Sequence, residues 1–249
     1  MISVERREEI VILRIDRGEK NPIDGELLER LGEALGGLRD DPDVRGLVLG
    51  STSERFFSIG FDIPNLFDLG RDEFGLFFKA FNEFCLDLYS FPKPTAAAVT
   101  GHATAGGFIL TLACDHRIVA DGRHFMGLNE AKLGVPVPFF SELVLEQIAG
   151  KANAKEHIEE GEFFLPEEAL EMGVADYVLP AEQVMPRAVE TVSGVDAGIL
   201  ATFGAIKKAR VSRIKKAVRK TMDEKTGEFL DSWYSPAARE KLREAMKKY

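Results

Sequence analysis

Cysteine is nearly absent from this chain. Of 249 residues only Cys85 and Cys114 carry a thiol, and each sits in an apolar run. Two thiols so placed exclude a disulfide framework and read as buried side chains, which fits a cytoplasmic protein or one in an organelle lumen. Histidine is scarce as well, and His102, His116, His124 and His157 lack the close spacing of a helical zinc site, so no metal is expected. No apolar run approaches the ~20 residues of a membrane span. The opening MISVERREEIVILRID has charges where a secretory leader has its apolar core, and it reads as a strand. Positive charge is in deficit, 32 Lys and Arg against 41 Asp and Glu, for a net charge of −9. That balance argues against nucleic acid as a partner, yet leaves room for a local basic patch around a phosphorylated ligand. Internal repeats and low-complexity segments are also missing.

What is present is an alternation of strand and helix patterns, which predicts an α/β architecture. Residues 9–16 and 46–50 read as strands. Between them Asp24 is placed to cap a helix over 25–38 that turns Leu27, Leu28, Leu31 and Leu35 to one face. Residues 66–90, rich in phenylalanine, predict one long helix that Pro92 and Pro94 terminate. Then follow a strand over 95–100, a helix over 105–113, a strand over 115–120, a short strand over 125–129, helices over 139–148 and 152–159, and a last strand over 175–179. From Gly198 onward the pattern is helical, interrupted at Pro236. The expected division is a core over 1–195 and a helical region over 196–249, whose apolar face is expected to be covered by a neighbouring subunit.

Two glycine-bearing stretches about 45 residues apart carry the chemistry: Phe57-Ser58-Ile59-Gly60-Phe61-Asp62 and Gly101-His102-Ala103-Thr104-Ala105-Gly106-Gly107. Each can turn a backbone N–H toward one point, and two such donors make a cradle for a developing oxyanion. A lone glycine turn is ordinarily just a turn. Downstream stands a single carboxylate, Glu130, in GLNEAKLG, among Phe125, Met126, Leu128 and Leu133, an apolar setting that should raise its pKa.

In this order and spacing the motifs resemble the crotonase family of acyl-coenzyme A enzymes. The resemblance runs from the opening strand to about Leu179 and more loosely through the tail. It implies the crotonase spiral of ββα units with a C-terminal helical oligomerisation layer, and a homotrimer or hexamer. By this resemblance the amides of Phe61 and Gly106 hold a thioester oxygen, and the backbone of Ser58, Ile59, Gly60 and Asp62 contacts the coenzyme A part of the substrate. Asn129 is expected either to meet the acyl thioester through its backbone or to be a turn residue. Coenzyme A enters only as part of the thioester, and no separate cofactor is implied.

Hydratases of the family use two glutamates. The first matches Ile109 here and the second matches Glu130, so one carboxylate is kept and one lost. A single base suffices to move a double bond, and an apolar Ile109 would help exclude water. GLNEAKLG, the following VPVPFF and the ending FLDSWYS look most like the mitochondrial type of Δ3,Δ2-enoyl-CoA isomerase within this family. No Asp or Glu occurs over 135–141, where dienoyl isomerases and some acyl-CoA hydrolases have an aspartate, although Glu142 is placed to approach from the next helix. His102 is expected to be structural rather than to line the pocket. Alternatives are hydration, hydrolysis or another enolate reaction, and a non-catalytic relative that binds acyl-CoA or RNA. In the basic run from Lys207 to Lys220, Lys207 and Lys208 are expected to meet phosphates of coenzyme A, against the alternative of a solvated helix face.

Overall fold

In the computed structural model, which describes residues 1–247, the chain opens on a hairpin. Strands β1 (Ile2–Arg7) and β2 (Ile10–Ile15) pair antiparallel around Glu8, whose φ is +54°. The single opening strand expected from the sequence is thus two. Polar residues alternate along β1, so its pattern runs without a break into the charged turn. Helix α1 (Gly25–Arg39) begins where expected: the Asp24 carboxylate accepts from Leu27 N–H at 3.0 Å, and the four leucines are buried. Strands β3 (Gly46–Ser51) and β4 (Phe56–Ser58) follow. Two helices, α2 (Ile63–Phe67) and α3 (Arg71–Tyr89), replace the one helix expected over 66–90, because Gly70 is extended at the start of α3.

Next come β5 (Thr95–Val99), β6 (His102–Thr104), α4 (Gly106–Leu112), β7 (His116–Ala120), β8 (Met126–Gly127) and α5 (Glu130–Leu133). Helix α6 (Phe139–Glu160) is interrupted at Gly150, φ +80°, which divides it much as the sequence suggested. The remainder is α7 (Pro166–Glu171), β9 (Tyr177–Leu179), α8 (Ala181–Ser193), a 3₁₀ turn over Ala197–Ile199, α9 (Leu200–Trp233) and α10 (Pro236–Met246).

From β3 to β9 the chain passes its strands alternately to two sheets. One has the order β1-β2-β3-β5-β7-β9 and is parallel except for β1; the other, β4-β6-β8, is parallel throughout. The central strands of the larger sheet are buried on both faces, which is why they read as unbroken apolar runs. On one face α8 sets Val184, Ala188 and Val192 against Ile12, Val48, Ala96 and Ile118. The other face belongs to the main core, which also takes in Cys85 and Cys114, both free and buried.

The helical tail is not left for a neighbour to cover. Val211, Ile214, Val218, Phe229, Leu230 and Trp233 of α9, with Ala238 and Leu242 of α10, belong to that same main core. The phenylalanine stripe of α3 receives them: Trp233 stacks on Phe74 at 4.3 Å between centroids and Phe229 on Phe78 at 4.0 Å. The expectation that another subunit buries this face is corrected, since the stripe and the tail cover each other.

Candidate active site

The three segments singled out in the sequence leave the carboxyl ends of the three strands of the small sheet. β4 leads to Gly60 and Phe61, β6 to Ala105 and Gly106, and β8 to Asn129 and Glu130. Because the strands are parallel, with Ser58 beside Ala103 after a bulge in β4 and Thr104 beside Gly127, the segments emerge side by side. The crevice beyond the carboxyl ends of parallel strands is where α/β proteins place ligands.

Their approach requires glycine. Gly60 has φ +90°, and a Cβ there would lie 2.8 Å from the Gly106 nitrogen; one on Gly107 would lie 2.3 Å from the Ser58 carbonyl oxygen. Ala105, between these strands' ends, has φ +49° and ψ −126°, a conformation that favours glycine. The alanine therefore holds strained backbone at the entrance to α4.

The first segment is held from behind. Ile59 N–H donates to the Lys20 carbonyl at 3.0 Å, Ile23 N–H to the Gly60 carbonyl at 2.8 Å and Asp62 N–H to the Ile23 carbonyl at 2.8 Å. Asp62 caps α2 and pairs with Arg17 at 3.0 Å, and Arg17 also pairs with Asp24, so one guanidinium joins two helix caps. The buried Ser58 hydroxyl donates to the Asn21 carbonyl at 2.7 Å and accepts from Gly60 N–H at 3.1 Å. Ser58, Gly60 and Asp62 thus shape the turn. Of this stretch, Ile59 and Phe61 reach the cavity.

That cavity, of about 600 Å³, is bounded by Ile59, Phe61, Gly106, Asn129 and Glu130 on the sheet side. Leu133, Val135, Pro138, Phe229 and Trp233 form an apolar wall, and Lys20, Lys241 and Glu244 also line it. The Phe61 ring is fixed edge-on by Phe77 and Phe81, each 4.9 Å away. Gly106 opens α4, so its N–H is among the first four of a helix, which have no partner within the helix.

Glu130 opens α5, is 6% exposed, and its Oε2 has no hydrogen-bond partner among the described residues. Burial raises its pKa from an ordinary 4.5 to about 7, against a smaller opposing pull from its own amide and that of Asn129. The direction is the one the sequence predicted, but the shielding is not all from the expected residues. Met126 and Leu128 are buried, whereas Phe125 is 42% exposed.

Several candidates fall elsewhere. Ile109 is 1% exposed and belongs to the core rather than the cavity lining. His102 is structural: its Nδ1 accepts from Phe125 N–H at 2.8 Å and its ring stacks on Phe125. Glu142 does not line the cavity, and burial with Glu146 nearby raises its pKa.

The phosphate role expected of Lys207 is not compatible with its position. Its ammonium is buried, 2.5 Å from Asp115 and 3.2 Å from the Lys93 carbonyl, where it ties α9 to the large sheet. Arg210 pairs with the same carboxylate, and the two cations outweigh burial to hold Asp115 below its usual pKa. Lys208 is exposed but lines a different cavity. A charge run on a helix includes the positions that point inward, and sequence alone does not mark which these are. The wall residues Phe229 and Trp233 and the cations Lys20 and Lys241 were likewise not singled out. The only signal for Trp233 was its place in FLDSWYS.

The sequence profile described as Enoyl-CoA hydratase/isomerase matches residues 5–249. "Enoyl-CoA delta isomerase 1, mitochondrial" of Homo sapiens is 32% identical over 185 residues, 74% of this chain and 61% of that protein, so this chain spans about three fifths of that relative. "Carnitinyl-CoA dehydratase" of Escherichia coli (strain SMS-3-5 / SECEC) is 34% identical over 197 residues, 76% of this chain and 72% of that protein. The crystal structure of human mitochondrial delta3-delta2-enoyl-CoA isomerase superposes with a TM-score of 0.92 at 27% identity, covering 99% of this chain and 97% of that one. This chain therefore has the crotonase fold and belongs to the enoyl-CoA hydratase/isomerase family.

Proposed function

We propose that the protein shifts the double bond of a 3-enoyl-CoA to the 2-position. The thioester oxygen sits between the amides of Phe61 and Gly106, and the ionised Glu130 removes a proton from C2. The resulting dienolate is held by the two amides, and the carboxylic acid so formed returns the proton at C4. Atoms balance without water, and no cofactor enters beyond the coenzyme A of the substrate.

The observation that carries this reading is the solitary buried carboxyl. Glu130 is the one buried acid lining the cavity among the described residues, Glu244 being exposed, while the position of the first hydratase glutamate is Ile109 in the core. A pKa of about 7 suits a group that must both take and return a proton near neutrality. Lys20 and Lys241 replace Lys207 and Lys208 as the cations proposed to meet the coenzyme A phosphates. A trimer or hexamer remains part of the proposal, and sedimentation velocity tests it.

The dehydratase relative supports a second reading, addition or removal of water across a 2,3 double bond. Incubation with 3-enoyl-CoA and 2-enoyl-CoA in ¹⁸O-labelled water separates the two. Isomerisation yields 2-enoyl product without label, whereas a labelled 3-hydroxyacyl product as the main outcome would replace the first reading by the second.

A further inference from the structure

The larger of the two main cavities lies outside the catalytic one and shares no lining residue with it. It is a groove of about 1050 Å³ between one face of α9 and the ends of α1 and α3. Along α9 its character changes. From Leu200 to Ala205, about 8 Å of helix at 1.5 Å per residue, the lining is Leu200, Ala201, Gly204 and Ala205. From Lys208 to Arg219, about 16 Å of helix, it presents Lys208, Lys215, Lys216 and Arg219 beside Val211 and Ser212, with Arg39 and Lys93 also lining it.

Four of these six cations have partners that explain them. Lys93 donates to the Leu38 and Asp41 carbonyls at 2.7 Å each, Lys215 to the Ser90 hydroxyl at 2.7 Å, Arg39 pairs with Asp87 at 3.3 Å, and Arg219 pairs with Glu83 at 2.9 Å. Lys208 and Lys216 have neither an ion pair nor a side-chain hydrogen bond among the described residues. Crowding is already felt: burial and then the charge of Arg219 push the Lys215 pKa down. In a chain of net charge −9, a groove with no carboxylate in its lining and two cations left over after the other four are partnered is matched to an anion.

We infer that this groove binds an amphiphile with a phosphorylated head, the head between Lys208 and Lys216 and the apolar part along Leu200 to Ala205. The head is an anion because two cations there have no partner, and the ligand is an amphiphile because apolar and cationic stretches follow one another along a single helix face. The inference does not depend on the reaction assigned to the other cavity. A free acyl phosphate-type metabolite and an anionic lipid share this chemistry.

The test is calorimetric titration of the full-length protein with dodecyl phosphate, with dodecanol and inorganic phosphate titrated separately. Saturable binding of dodecyl phosphate is expected, with neither half alone approaching its affinity. Lys208→Glu with Lys216→Glu should weaken it by roughly tenfold or more. Ala205→Trp, which fills the exposed apolar end, should do the same, and turnover of acyl-CoA should be unchanged in both variants. Co-sedimentation with phosphatidylcholine vesicles containing phosphatidic acid identifies a lipid source; binding of monomeric dodecyl phosphate without vesicle binding identifies a soluble one. Absent binding, binding indifferent to both variants, or loss of an oligomer in the Lys208→Glu, Lys216→Glu protein would overturn the inference, the last because it makes the groove a contact between copies.

Discussion

The strands of the larger sheet run from three to six residues, and its central members are buried on both faces; those of the smaller sheet run two or three. Alanine, valine, isoleucine and leucine fill the first, which packs α8 on one side and the main core on the other. The second is so short that each strand does little but aim the residues that follow it, and these are Gly60 and Phe61, Gly106, and Glu130. The large sheet contributes apolar burial through side chains. The small sheet contributes direction, largely through main chain, and a substitution should therefore strike stability in one place and chemistry in the other.

The sharpest separation is expected from Glu130→Gln. Turnover should fall by about 10²–10⁴, the usual contribution of a positioned acid or base, while binding of a coenzyme A thioester, read by titration, stays close to that of the parent. A fully active Gln variant would remove Glu130 from the mechanism. On the other side, Asp115→Ala should leave Lys207 as a buried charge without its carboxylate and cost about 3–5 kcal/mol of stability, seen as a lower urea midpoint. The folded fraction should keep its kcat, since Asp115 does not line the catalytic cavity. A loss of kcat with unchanged stability would erase the distinction between the sheets.

A third expectation concerns pH. The folded-state pKa of Glu130 lies above its unfolded value, so the native protein binds more protons than the unfolded chain between about pH 4.5 and 7. This contribution to stability declines as pH rises through that window and is constant beyond it. Ionised Glu130 then costs the fold roughly 3 kcal/mol, so Glu130→Gln should be more stable than the parent at pH 8 and equal to it at pH 4. Equal denaturant midpoints at both pH values would show that the carboxyl is better solvated than its burial indicates. Over the same window kcat/KM should rise with pH, because the ionised form is the base in the proposed reaction. The smallest effect is expected from Ala105→Gly. Relief of a positive-φ alanine, partly offset by the greater freedom of glycine in the unfolded chain, should stabilise by about 1 kcal/mol, measurable as a raised Tm with turnover nearly unchanged.

What could be read in the sequence follows the range of the interactions involved. The cap at Asp24, the leucine face of α1 and the division of α6 are local, set by residues within a few positions of one another, and the structure has each of them. The two glycine motifs and Glu130 were legible as a family pattern, although the strands β4 and β6 that aim the first two were not, being three residues long. Pairings between distant segments were out of reach. Nothing near Lys207 in the chain shows that Asp115, 92 residues away, takes up its charge. Nor does the spacing of Phe229 and Trp233 show that Phe78 and Phe74 stack against them and turn the tail into a wall of the cavity.

That wall has a consequence for how the molecule can be divided. Phe61, Gly106 and Glu130 all precede Leu179, whereas Phe229 and Trp233 of the same cavity follow it by fifty residues or more. A chain cut between Leu179 and Phe229 should therefore keep the two amides and the carboxyl on one piece and lose the aromatic side of their cavity with the other.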